Sequence, residues 1–194
     1  EVLTSTGAGS PPAFEAAGGG GGGSWTLIGT AVASNSANLT ITGLDSTYDT
    51  YAISWSDIQP VTDNQNLSLQ VGDSSGLDSG AGNYTWHRQD LKASSASYSA
   101  GVSAGDVDAQ ISNAVGDQAG EGAGGMIFIT RPGDGIMWPT WSGAFSHVHG
   151  STYFSGGVTV GARNAVITLD RVAVLFGSGN IDHGRLTVWG IAHA

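Results

Sequence analysis

The chain has 194 residues, only 11% of them charged, and 16 acidic residues against 6 basic ones give a formal net charge of -10. Six scattered cations cannot build a phosphate-binding surface, which argues against a nucleic-acid partner. Cysteine is absent, so disulfides and thiolate metal sites are excluded, and no apolar run nears the roughly 20 residues of a spanning helix, so no membrane insertion is expected.

In chain order, residues 1–24 read as an extended attachment segment ending in six consecutive glycines, 18–23. Such a run buries no side chain and loses the most conformational entropy on ordering, so it reads as a flexible tether. Fully extended, 24 residues reach roughly 80 Å. The N-terminus lacks the charged-then-apolar order of a signal peptide. Residues 25–194 read as one folded unit of ordinary domain size. Within it, period-two alternation predicts strands over 25–33, 38–42, 51–58, 67–71, 84–91, 126–130, 144–149, 153–160, 165–175 and 185–191. Leu67, Leu69 and Val71 against Ser68 and Gln70 give a half-buried pattern. Turns are expected at 72–76, 177–180 and 182–184, where Gly, Asn and Asp accept positive φ. Residues 101–125 read as a long loop, with a weak helical turn at Val107 and Ile111 as the alternative. Ser, Thr, Asn, Gln and Gly stand where helical surfaces carry Lys and Glu. The expected fold is therefore an all-β, antiparallel, jelly-roll-like sandwich behind an extended Gly-rich tether.

Val2-Leu3-Thr4-Ser5, followed by Gly7, Gly9, Pro11, Pro12 and Phe14, resembles the VLTS-G-G-P-F junction that recurs upstream of globular modules in bacteriophage tail-fibre and other virion-fibre proteins. Leu44-Asp45-Ser46-Thr47-Tyr48, the stretch from Ile58 to Asp63, and Leu169-Asp170-Arg171-Val172 with the closing Gly184-Arg185-Leu186-Thr187-Val188-Trp189 are similar to a β-sandwich module of phage and prophage structural proteins. The resemblance implies a virion component without catalytic activity, a homotrimer joined to another virion protein through residues 1–24. Members serve as tail fibres in host attachment, as head fibres or as capsid decoration proteins.

Trp138, Trp141, Phe145, Tyr153 and Phe154 crowd into one segment. Alternate members facing the core is one reading; an interchain seam or an aromatic glycan platform is the other. For a host surface glycan the candidates are Trp86, His87, Trp138, Trp141 and Tyr153, which lie near turn signals and whose rings would stack on the apolar faces of sugars. His147 and His149 stand at i and i+2, on one face of a strand, where they could share a metal ion. Ser146-His147-Val148-His149-Gly150 resembles the His-x-His pairs with which some phage fibre tips hold iron between three chains, although only one pair is present. The alternative is two surface or interface histidines sharing a face with Phe145. Asp106 and Asp108, with Asp117 or Glu121, supply oxygen ligands suited to calcium, or form an ordinary acidic loop.

Residues 72–76 carry Ser75 where a trypsin-like nucleophile loop has glycine, and nothing places His87 or His147 beside Ser74 as a base, so a polar turn is expected there. Paired carboxylates for glycoside hydrolysis need a spatial separation of about 5 to 9.5 Å, which sequence does not give. The solenoid period usual in polysaccharide-degrading spikes is missing. Sequons at Asn38, Asn66 and Asn83 read as incidental.

Overall fold

A computed structural model describes residues 2–4, 13–15, 25–94, 97–130 and 135–192. The expected glycine tether at 18–23 lies outside the described residues. The strands are β1 (Val2–Thr4), β2 (Ala13–Glu15), β3 (Trp25–Val32), β4 (Leu39–Thr42), β5 (Thr50–Pro60), β6 (Leu67–Asp73), β7 (Gly76–Leu77) and β8 (Tyr84–Lys92). They continue with β9 (Ser97–Asp106), β10 (Ala109–Gln110), β11 (Gly122–Thr130), β12 (Thr140–His149), β13 (Tyr153–Arg163), β14 (Arg171–Phe176) and β15 (Ile181–Ile191). There is no helix among the described residues. β1 and β2 pair with each other, antiparallel.

The rest forms two antiparallel sheets packed as a sandwich. The larger runs β3-β15-β5-β11-β12-β13-β8-β9; the smaller runs β10-β6-β14-β4, with β7 beside β6. Alternation decides which side chains enter the core. In β8, Tyr84, Trp86, Arg88 and Asp90 point inward while Thr85, His87, Gln89 and Leu91 point out, and in β12 the odd-numbered Trp141, Phe145 and His147 are buried. One cluster joins Tyr51, Ile53, Trp55, Ile127, Ile129 and Trp141 of the large sheet to Leu69, Val71, Val172 and Val174 of the small one. Burial of such side chains is worth about 1.5–3 kcal/mol each and drives the two sheets together.

Two buried tyrosines tie loops to this core. The Tyr84 hydroxyl accepts from the Val71 N–H (2.9 Å) and donates to the Asp78 carbonyl (2.8 Å). The Tyr51 hydroxyl accepts from the Asp45 N–H (2.9 Å), and burial pushes this phenol up to about 12.

Several sequence expectations change. Residues 101–125 are not one loop: they contain most of β9, all of β10 and the first residues of β11. Backbone pairing with β8 and β12 holds these Ser, Ala and Gly residues in strands. β6 is buried on both faces, because Gln70 turns under the 106–108 segment and donates to the Val107 carbonyl. The strand expected over 165–175 is Arg171–Phe176. Residues 182–184 are not a turn but part of β15, whose pairing with β5 shifts register on both sides of His183. The turn at 72–76 is present, with Asp73 accepting from the Ser75 N–H at 2.8 Å.

Candidate binding surface

The outer face of the large sheet is built from the residues that alternation turns away from the core. Across β11, β12, β13, β8 and β9, these outward positions carry no Asp, Glu, Lys or Arg. One row crosses the strands in register: Gly124 beside Ser146, Ser146 beside Gly156, Gly156 beside Leu91, Leu91 beside Tyr98. Two glycines and a serine make this row low where its neighbours carry larger side chains. With strands about 4.8 Å apart, the row runs for roughly 19 Å.

A trough follows the row. Its two hollows, about 680 Å³ and 620 Å³, meet at Ser146 and Phe154. Phe154 is 58% exposed and forms an apolar wall, continued by the exposed Leu91 and Tyr98. At the other end stand Ser56, Asp57 and His183. Asp57 lies in the left-handed region at φ 54, in a stretch of β5 where register slips against both β11 and β15. Bulges re-aim side chains, and a non-glycine residue held at positive φ is a strained position of the kind that gathers at functional sites. The trough therefore offers apolar ring surface at one end and a carboxylate with hydroxyls at the other.

The residues expected to bind glycan are scattered. Trp86 and Trp141, 5% and 3% exposed, are core side chains and cannot stack on a sugar; their parity in β8 and β12 turns them inward. Trp138 is exposed in the segment leading to β12. His87 is exposed on the outer face between Val102 and Val160. Tyr153 is half-buried and stacks on His149, ring centroids 4.4 Å apart. Of the five aromatics in the crowded segment, Trp141 and Phe145 face the core, while Trp138 and Phe154 are exposed.

His147 and His149 do share a face, with ring centroids 6.3 Å apart, but it is the inner face. His147 is 2% exposed, stacked on Phe145, and neither ring nitrogen has a hydrogen-bond partner. Burial pushes its imidazole down to about 4. A ring enclosed in its own sandwich cannot meet those of two other chains, so the interchain metal arrangement does not fit, and His147 is not a surface residue.

Beside it lies a polar pair that the sequence reading missed. Arg88 Nε donates to Asp90 Oδ1 at 2.8 Å, both side chains being buried. Ser99 donates to the other Asp90 oxygen (2.9 Å), and Arg88 donates to Gln110 Oε1 (2.7 Å). The strand parity of Arg88 and Asp90 with Tyr84 and Trp86 was the available signal. The acidic group also differs from expectation: Asp117 and Glu121 converge with Asp63, carboxylate oxygens within 4.8 Å of one another, without Asp106 or Asp108. Asp106 accepts from the Val107 N–H instead, and burial pushes the Asp108 carboxyl up.

Neither a family model, nor a curated protein, nor a solved structure matches this chain.

Proposed function

We propose that this chain is a non-enzymatic structural protein of a bacteriophage virion, a fibre or knob attached to another virion protein through residues 1–24, and that its sandwich binds host surface glycan in the trough on the large sheet. The observation that carries the reading is the trough itself, with its Gly124-Ser146-Gly156 floor, its Phe154 wall and Asp57 at one end. A sugar chain presents flat C–H faces and hydroxyl rims. Phe154, Leu91 and Tyr98 suit the first; Ser56, Ser146 and Asp57 suit the second. The resemblance of residues 2–14 and of the sandwich stretches to phage fibre proteins supports the virion setting.

The pairing of β1 with β2 favours a second reading, a capsid decoration or head-fibre protein gripping the shell through its N-terminal segment, because a paired element offers a defined shape to grip. Gold-labelled antibody against the chain, imaged on intact particles, separates the two. Label at the tail tip is the expected result; label over the head favours decoration, and particles without label overturn both.

A further inference from the structure

The basic residues fall into two groups. Arg88, Arg163 and Arg171 are each held by an aspartate, at 2.8, 2.7 and 2.7 Å. Arg185 and Lys92 have no ion pair and no side-chain hydrogen bond among the described residues. In a chain with 16 acidic residues against 6 basic ones, carboxylates are plentiful, yet these two cations stand where none is offered.

Both border the trough. In β15, Leu186 and Val188 enter the core, so Arg185 takes the outward parity and is exposed. It pairs in register with Ser56, which lines the first hollow. Lys92 ends β8 next to Leu91 and lines the second hollow. From β15 to β8 the sheet order is β15-β5-β11-β12-β13-β8, so the two cations stand roughly 24 Å apart across the strands. The acids at the Arg185 end are largely engaged: Asp182 binds His183 at 3.0 Å, and Glu121 accepts from the Gln118 N–H at 2.8 Å. Asp57 is left, exposed in the hollow as an acceptor for hydroxyls.

A neutral sugar offers these cations only hydroxyls, whereas a carboxylate gives each a charge-assisted bond about twice as strong as a neutral one. Spacing selects among polyanions. A nucleic acid carries a charge every few Å and needs a dense row of cations; two cations roughly 24 Å apart suit a chain whose carboxylates are sparse. The net charge of -10 opposes any anion at long range, but at physiological salt that field is screened beyond about 8 Å. The outward positions of β11, β12 and β13, between the two cations, carry no acid. We propose that the glycan of the trough is acidic, a polysaccharide with a carboxylate on its repeating unit, and that Arg185 and Lys92 each bind one carboxylate while Phe154 meets the apolar face of a sugar between them. This specificity rests on the reading of the trough as a glycan site.

The test measures the affinity of the full chain for oligosaccharides of glucuronic, galacturonic and sialic acids, each beside its carboxyl-reduced form. The native chain should bind an acidic member about tenfold or more tighter than the reduced form of the same sugar. Arg185→Gln should shrink that ratio, and Arg185→Gln with Lys92→Gln should bring it to about one while leaving affinity for the reduced form unchanged. Phe154→Ala should weaken both forms and keep the ratio, which separates ring contact from charge. Equal binding of acidic and reduced forms by the native chain, or a ratio that survives the double replacement, overturns the proposal and leaves the trough reading standing. Binding of no glycan, acidic or neutral, overturns the trough reading and this proposal together.

Discussion

The imidazole of His147 is held neutral by burial, which outweighs the pull of the Asp90 carboxylate toward the protonated form. It is buried, stacked on Phe145, without a hydrogen-bond partner, and the charges of His149 and Arg88 also disfavour a proton on it. Folding holds its pKa near 4, below the ordinary 6.5, so between these values the unfolded chain binds more protons than the folded one. Its contribution is present in full above pH 6.5 and is lost as pH falls toward 4. The difference is worth about 3 kcal/mol. Urea melts of the native chain and of His147→Leu over this range should show a steeper acid loss in the native chain; parallel curves would contradict the burial. Tyr84 offers a second test. Removing its hydroxyl leaves the Val71 N–H without that acceptor and the Asp78 carbonyl without that donor, so Tyr84→Phe should cost about 1–3 kcal/mol in the same measurement.

At the scale of elements, β8 shows how a strand can be legible as a strand and still conceal what it holds. Its alternation was plain from Tyr84 and Trp86, but the same parity carries Arg88 and Asp90 into the interior, where composition leads one to expect apolar side chains. The pair survives burial because Ser99 and Gln110 satisfy it. Asp90→Ala should therefore cost about 3–5 kcal/mol by leaving a buried guanidinium unpaired, and the double replacement Arg88→Met with Asp90→Leu should cost less than Asp90→Ala alone. Thermal melts of the three chains decide this. β9 failed in the opposite way: Tyr98, Ala100 and Val102 do alternate with Ser97, Ser99, Gly101 and Ser103, but the larger set faces outward and the inward set is only Ser and Gly, so the run does not read as a strand with a buried face, and it is fixed by its pairing with β8. The glycines of β13 are silent in sequence for the same reason, yet a Cβ at Gly157 would lie 1.8 Å from the Gln89 carbonyl oxygen. Gly157→Ala should push β13 from β8 and lower stability by about 2 kcal/mol or more, read as a drop in melting temperature.

For the whole molecule, the all-β sandwich was readable because ten alternating runs and a helix-poor composition agree. The site was not, because its parts are distant in the chain and unremarkable alone: Asp57, Gly124, Ser146, Phe154 and Leu91 become one trough only once β5, β11, β12, β13 and β8 lie side by side. Sequence favoured tryptophans, the most conspicuous aromatics, and two of those chosen proved to be core. Exposure, not ring size, selects Phe154. The central claim is that this trough binds sugar, and the most direct measurement is the affinity of the full chain for glycans selected from an array, beside Phe154→Ala and the outer-face control Val160→Ala. The account predicts a glycan ligand, a loss of about tenfold or more for Phe154→Ala, matching roughly 1.4 kcal/mol of lost ring contact, and an unchanged affinity for Val160→Ala. A chain that binds no glycan, or one whose binding is indifferent to Phe154, would contradict it.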